Sequence, residues 1–270
     1  MADISRIKSA LLKVVDWIGV QRRPDIIRED FRDTAAAGEK GVKLSICSVF
    51  HNEEHHLPHF LGKLASFAGE VDELVVIDQG STDRTALMLQ NWGASSGIQV
   101  KIIREPHWGY CELSRQRSID AARNPWVLVM DADEWFEPEA NLALLASQCE
   151  ADGISAVNFP TISHVADIPG DRVMNYFGDD GHIRLLRRRD VRWPMTPHVR
   201  PIVKGRVTTA REPNRKLHHL WYATTQRQKM ERVLAAMRAQ HEPEESLRTV
   251  QLSWEKAIRG FERHLGVKIP

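Results

Sequence analysis

The chain has 270 residues, of which 42% are apolar, so it can bury a full hydrophobic core. Its 37 lysines and arginines nearly balance 36 aspartates and glutamates, so the overall charge gives no reason to expect a nucleic-acid partner. Three widely spaced cysteines argue against a disulfide framework and against a cysteine-rich zinc site, and a reducing cytoplasmic location fits best.

Residues 1–41 read as a helix followed by a connector. Apolar residues between positions 4 and 18 recur at helical spacing among lysines and arginines, which predicts an amphipathic helix. This helix could lie peripherally on the anionic inner face of a membrane, or pack on the protein's own body or on a second subunit of a homo-oligomer. We expect no membrane-spanning helix, because the sequence has no apolar run of about 18 residues or more.

Residues 42–150 alternate short apolar runs with helical patterns. The predicted strands are 44–50, 74–78, 100–104 and 126–130. Each gap between them is long enough for a crossover helix, so the fold class is α/β, with a mostly parallel, twisted sheet and helices on its faces. Ligands of such sheets bind beyond the carboxyl ends of the strands.

The regular alternation of predicted strands and helices ends after residue 150. Further strands are predicted at 154–160, 182–186, 201–207 and 217–222, with a long loop at 162–181. The remainder reads as one or two helices, interrupted near Pro243. We therefore divide the chain into a catalytic domain at 42–223, with halves 42–150 and 151–223, and a helical extension at 224–270.

Acidic residues follow the predicted strands at the edge where a ligand would bind. Asp78 ends the second strand, and Asp131-Ala132-Asp133 directly follows the apolar fourth strand. Two close carboxylates repel each other unless a cation lies between them, and oxygen ligands suit Mg²⁺ or Mn²⁺. An isolated pair of this kind is usually a solvated surface feature, but the exit of a buried strand favours a site for a metal and a diphosphate.

Four motifs carry a resemblance to a known family. They are Phe50-His51-Asn52-Glu53-Glu54, Val76-Ile77-Asp78-Gln79-Gly80-Ser81-Thr82-Asp83, Arg115-Gln116 and Asp131-Ala132-Asp133-Glu134. In spacing and strand context, residues 44–139 resemble the nucleotide-binding half of the family-2 inverting glycosyltransferases, which have a GT-A fold. Residues 109–139 and 184–188 are most similar to the bacterial branch that adds sugars to the lipopolysaccharide core.

The resemblance implies a donor site for a nucleotide sugar, with a UDP-sugar favoured. The side chains implied to line the base and ribose pocket are Phe50, Asn52, Glu53 and Glu54. Asp78 and Gln79 are implied to recognise the nucleobase, although Gln79 stands where the family pattern has a second aspartate. The side-chain amide of Gln79 could still offer both a hydrogen-bond donor and an acceptor.

The resemblance also implies a diphosphate and metal site. Arg115 matches an arginine that faces the diphosphate, although a solvated helix arginine is the alternative. Asp133 matches the direct ligand of Mg²⁺ or Mn²⁺, and Asp131 matches a residue that contacts the ribose or the metal through water. Related enzymes use a late histidine as a metal or phosphate contact, and the candidates here are His218 and His219.

The general base is harder to place because the chain departs from its relatives here. Many relatives have a Glu-Asp or His-Glu pair in the second half, and the nearest counterparts are Asp179-Asp180 and Pro197-His198-Val199. We favour Asp180, with Asp179 and His198 as alternatives. A charged loop and a structural histidine would explain the same residues.

The resulting functional hypothesis is transfer of a sugar from a nucleotide-sugar donor, with metal dependence and inversion. The expected acceptor is a glycan or lipid-linked glycan such as lipopolysaccharide core or a surface polysaccharide. A basic run at 184–192 could hold an anionic, lipid-linked acceptor, or could be ordinary exposed strand arginines. The alternatives are a sugar nucleotidyltransferase and a non-catalytic nucleotide-sugar-binding protein.

Overall fold

The computed structural model describes residues 42–67, 69–167, 172–174, 181–195, 199–222, 225–266 and 268. The predicted amphipathic helix in segment 1–41 lies outside these residues, as do the candidate bases Asp179, Asp180 and His198. Within the described part of the chain, no helix is both long and apolar enough to cross a membrane.

The described residues form thirteen strands and six α-helices. The strands are β1 (Leu44–Phe50), β2 (Val71–Asp78), β3 (Gln99–Arg104), β4 (Trp126–Val129), β5 (Glu134–Trp135), β6 (Ile154–Phe159), β7 (Thr161–Val165), β8 (Arg172–Met174), β9 (His182–Arg187), β10 (Val191–Arg192), β11 (Ile202–Val203), β12 (Arg206–Thr209) and β13 (Leu217–Trp221). The helices are α1 (Leu57–Ala65), α2 (Thr85–Ser96), α3 (Glu112–Ala121), α4 (Leu142–Ala151), α5 (Gln226–Ala239) and α6 (Glu244–Leu265).

Seven strands form the central sheet, in the order β12-β6-β9-β4-β1-β2-β3. Strand β1 pairs in parallel with β2 and β4, and β2 pairs in parallel with β3. Strand β9 runs antiparallel between β4 and β6. The predicted fold class, a mostly parallel sheet flanked by helices, is confirmed.

A second sheet has the order β5-β13-β7-β8 and starts directly after the acidic triplet. Strand β13 pairs with β5 so that His219 lies opposite Glu134 and His218 opposite Trp135. The Leu220 amide donates a hydrogen bond to the Asp133 carbonyl at 2.8 Å. Strand β8 and all of β7 except Thr161 fall within the predicted loop 162–181. Strand β7 pairs antiparallel with β8 and in parallel with β13, and the pairing with β13 is distant in sequence and leaves no local signal.

Apolar side chains fill both faces of the central sheet. Trp126, Phe60 and Phe136 belong to the larger cluster, while Val127 and Leu186 belong to the cluster on the other face. The run of buried residues in β1, β2 and β4 is typical of parallel strands covered on both sides. The packed sheet therefore holds the carboxyl ends of its strands in fixed positions.

A third cluster attaches the C-terminal helix pair to the body. Tyr110 packs with residues of α5 and α6, including Met237 and Leu247. Beside it, Gly109 has a φ of 89°, and a Cβ atom there would lie 2.2 Å from the Cβ atom of Ala236 on α5. A glycine is required because the backbone of this loop and α5 approach each other closely.

We expect Gly109→Ala to lower the free energy of unfolding by about 1–3 kcal/mol, since the new methyl group forces α5 away and takes a strained φ. The measurement is urea unfolding followed by circular dichroism. Gly62→Ala is the matched control, because nothing lies within 4 Å of a Cβ atom at that helical position. Equal effects of the two substitutions would contradict the close contact.

Candidate active site at the carboxyl edge of the central sheet

Asp131, the first carboxylate after β4, is held by two guanidinium groups. Arg115 Nη2 lies 2.8 Å from both carboxylate oxygens, and Arg184 Nη2 lies 3.3 Å from Oδ2. Burial by itself raises the pKa of Asp131, but Arg115 and Arg184 outweigh burial and hold the pKa well below its usual range. Asp131 is therefore ionised and neutralised by protein groups.

Glu134 is the second carboxylate that Arg184 contacts. Its side chain is buried, and Arg184 Nε donates to Glu134 Oε2 at 2.9 Å. The same Oε2 atom accepts the Asp131 backbone N–H at 3.1 Å. Arg184 comes from β9, whose antiparallel pairing with β4 brings it to the β4 exit. The geometry of the acidic turn is thus fixed by a buried, hydrogen-bonded ion network.

Asp133, the third residue of the triplet, pairs with His219. The distance from His219 Nε2 to Asp133 Oδ2 is 3.4 Å. Burial lowers the pKa of His219, but the charge and hydrogen bond of Asp133 outweigh it and raise the pKa. Burial conversely raises the pKa of Asp133, and His219 outweighs it and lowers the pKa. Each side chain therefore favours the charged form of the other.

His218, the second candidate histidine, faces away from the acidic triplet. Successive side chains of a strand point to opposite faces, and His218 stacks on Trp135 with ring centroids 5.2 Å apart. Its Nδ1 atom is 2.9 Å from His164 Nε2. His219 is the histidine that lies beside Asp133, and a metal or phosphate contact of His218 stays a prediction.

The residues at the end of β2 have different environments from those expected. Asp78 is buried, and its Oδ1 atom accepts the Ser81 N–H at 2.9 Å. The Gln79 amide is also buried and donates to Tyr110 O at 3.2 Å and to Ser114 Oγ at 2.8 Å. Both hydrogen bonds use the amide nitrogen of Gln79, and recognition of the nucleobase by this residue stays a prediction.

Phe50 is a core residue and does not line an open pocket. Its side chain is 1% exposed, and its ring packs edge-on against Phe60 at a centroid distance of 5.5 Å. A contact of Phe50 with the base or ribose stays a prediction. The ring of the neighbouring His51 stacks on His107 with ring centroids 3.6 Å apart, and its Nδ1 atom is 2.7 Å from the Gln79 carbonyl oxygen.

Asn52 ties the exit of β1 to the turn after β2. It has a φ of 56°, and its Oδ1 atom accepts the Thr82 N–H at 2.8 Å. Asparagine tolerates this left-handed conformation better than most residues do. Asn52 therefore holds the end of β1 next to the turn that follows β2.

The two glutamates after Asn52 contact separate partners. Glu53 Oε2 lies 2.7 Å from His56 Nδ1, and Glu54 Oε2 accepts the Arg84 N–H at 2.8 Å. Each therefore supports the loop between β1 and α1, and their contact with a base or ribose remains a prediction.

Arg184 was not among the predicted site residues, although it lies in the segment 184–188 that carries the resemblance and in the basic run 184–192. Its signal was the position among apolar residues of β9, where a buried charge requires a partner. Nothing in the sequence indicated which carboxylate that partner would be.

The donor set fits a divalent cation in part. Asp133 and His219 offer an oxygen and a nitrogen ligand, whereas both oxygens of Asp131 are engaged by guanidinium groups. Among the described residues, no group of three or more histidine, cysteine, aspartate or glutamate side chains could hold a metal ion. A cation would be held by Asp133 and His219, with phosphate and water oxygens completing its shell.

We expect Arg184→Met to lower the free energy of unfolding by about 3–5 kcal/mol, because Glu134 then stays buried without its cation. Urea unfolding provides the measurement. Arg189→Met is the control, since the Arg189 side chain is 71% exposed and its loss should cost less than about 0.5 kcal/mol. A cost for Arg184→Met no greater than that of the control would refute the ion network.

Comparison with known proteins agrees with this geometry. Residues 45–200 match the model of glycosyl transferase family 2. The chain is 27% identical over 175 residues to the lipopolysaccharide core biosynthesis glycosyltransferase LpsC of Rhizobium meliloti, covering 63% of this chain and 61% of that protein. It is 25% identical over 181 residues to a TPR repeat-containing protein of Synechococcus elongatus, covering 62% of this chain and 43% of that protein.

The chain thus spans less than two thirds of the length of either curated relative. Among solved structures, the fold is similar to that of a mannosyltransferase from Pyrobaculum calidifontis in complex with GDP-Man and Mn²⁺. The TM-score is 0.52 at 13% identity, with 93% of this chain and 82% of that chain covered. With a family match over more than half of its length and a parallel sheet that ends in the acidic triplet, the chain belongs to glycosyl transferase family 2 and has a GT-A-type fold.

Proposed function

We propose that this protein is a glycosyltransferase that moves a sugar from a nucleotide-sugar donor to a glycan or lipid-linked acceptor, with inversion at the anomeric carbon. The observation that carries the proposal is the Asp133–His219 pair beside the Arg115–Asp131–Arg184 cluster, at the carboxyl edge of the central sheet. This edge is where open parallel sheets bind nucleotides.

The donor diphosphate has suitable cationic groups near this edge. Arg115 uses Nη2 for Asp131, while its Nε and Nη1 atoms are buried and have no hydrogen-bond partner among the described residues. Its guanidinium carbon also lies 5.0 Å from the Trp193 ring centroid, which fixes its plane. These spare donors support a role for Arg115 in binding phosphate oxygens.

A divalent cation, Mg²⁺ or Mn²⁺, held by Asp133 and His219 would stabilise negative charge on the departing nucleoside diphosphate. The GDP-Man and Mn²⁺ in the structure of the Pyrobaculum calidifontis mannosyltransferase support a nucleotide-sugar and metal site on this fold. For the present chain we propose a UDP-sugar as donor, with Asp78 near the base.

The acceptor hydroxyl must lose its proton as it attacks the sugar, so a general base is required. We retain Asp180 as the proposed base, with Asp179 and His198 as alternatives. The proposal depends on the sequence pattern, since these three residues lie outside the described part of the chain.

Lipopolysaccharide core or a surface polysaccharide is the proposed acceptor, which the name of the Rhizobium relative supports. Arg192 and Lys204 are exposed near Met195 and Ile202, whose exposed fractions are 61% and 53%. Cationic and apolar groups together suit an anionic lipid surface, so we propose a cytoplasmic protein in peripheral contact with the membrane's inner face.

The test is a panel of UDP- and GDP-sugars with a glycan acceptor, measured with Mn²⁺ and with a chelator. We expect metal-dependent release of nucleoside diphosphate and a loss of roughly a thousandfold in kcat/KM for Asp133→Asn. Asp152→Asn is the matched control, because Asp152 is exposed at the end of α4.

Undiminished turnover by Asp133→Asn would refute the assignment of the site. Release of pyrophosphate in place of nucleoside diphosphate would instead identify a nucleotidyltransferase. Metal-dependent binding without turnover would support a non-catalytic binder. Circular dichroism of each variant shows whether its fold is intact.

A further inference from the structure

Helix α5 runs beside the edge of the sheet that carries the candidate site. Lys229, Arg232 and Ala236 have i, i+3 and i+7 spacing, so they share one face of α5. Ala236 lies against Gly109, and the Arg232 charge lowers the pKa of His107 after the larger effects of burial and of His51. This face of α5 therefore points toward the loops that follow the central strands.

The start of α5 is fastened to the strand that carries His219. Gln226 Nε2 donates to the Tyr222 carbonyl at 2.8 Å, and Thr225 Oγ1 donates to the same oxygen at 3.3 Å. Tyr222 directly follows β13. Along the rest of α5, buried residues such as Met237 pack with Tyr110. The helix holds Lys229 at a defined place relative to His219.

Lys229 lies close to the candidate site. Its Nζ atom is 6.0 Å from the ring centroid of Tyr222, and the ring of His56 is 5.7 Å from that of Tyr222. The charge of Lys229 acts on Asp133, His56 and His219, so the lysine is within electrostatic reach of all three. Lys229 is half-buried and has no carboxylate partner among the described residues.

His56 adds a second group to the same place. Its Nδ1 atom is bound to Glu53 Oε2 at 2.7 Å, while its Nε2 atom is buried and has no hydrogen-bond partner among the described residues. A cationic side chain and an imidazole nitrogen without a hydrogen-bond partner among the described residues thus both lie near the Tyr222 ring. Both lie within electrostatic reach of Asp133, the carboxylate proposed to hold the cation.

We propose that Lys229 binds the diphosphate of the donor, which makes α5 a wall of the donor site. The inference rests on the proposed function. An ammonium group acts as a compact positive charge for phosphate oxygens, and one without a carboxylate partner is available for this role. The helical extension would then contribute directly to substrate binding.

The contact also has a consequence for the reaction. The anomeric carbon forms a bond to the acceptor oxygen and loses its bond to the diphosphate oxygen, which keeps the electron pair, while the hydroxyl proton passes to the base. Negative charge on the diphosphate therefore increases in the transition state. A cation at Lys229 binds that state more tightly than it binds the intact donor.

The test compares wild type with Lys229→Gln, Lys229→Met and Lys229→Arg, using calorimetric titration with UDP and GDP. Uridine and guanosine are the phosphate-free references. We expect the dissociation constant for the diphosphate that wild type prefers to rise roughly tenfold or more in the glutamine and methionine variants, with partial recovery in the arginine variant. Binding of the matching nucleoside should change less than about twofold.

Lys256→Gln is the matched control, because it removes the same charge from an exposed position on α6. Unchanged diphosphate binding in a folded glutamine or methionine variant would overturn the role of Lys229 and leave the proposed function intact. An equal loss of nucleoside and diphosphate binding would mean a purely structural role and would also overturn it. If wild type binds neither diphosphate, both proposals fail.

Discussion

Two guanidinium groups neutralise the acidic exit of β4, and the candidate site depends on this interaction. Asp131 and Glu134 would repel each other and would be costly to bury without Arg115 and Arg184. Arg115 comes from α3, which precedes β4, whereas Arg184 comes from β9, much later in the chain. The network therefore joins distant parts of the chain at the point where the ligand is proposed to bind.

The acidic side chains after β4 have different surroundings. Asp131 and Glu134 are satisfied by guanidinium groups, so they fix the turn. Asp133 pairs with an imidazole at 3.4 Å, and a histidine can exchange its proton for a metal ion. A resemblance at the level of the motif treats both aspartates as ligands, but their surroundings give them different roles.

Close packing of α5 on the Gly109 loop fixes the position of the C-terminal helices relative to the central sheet. Gly109 lacks a side chain at the contact with Ala236, and the Tyr110 cluster holds the helix pair in position. A helix fixed in this way places a basic side chain at a constant distance from the strand ends. The helix pair thereby links the packing around Tyr110 to the charges beside the candidate site.

The sequence by itself determined the α/β class, the strands that precede the acidic residues, the family and the helix interruption at Pro243. These features depend on residues close together in the sequence, because hydrophobic periodicity and the residues that end a strand can both be recognised in a short segment. Only the tertiary structure decided which way each side chain faces and which partner it finds. Phe50 and Gln79 became buried, and His219 rather than His218 met Asp133, because strand register sets those choices. Arg184 met Glu134 from 50 positions away, a pairing that no local pattern encodes.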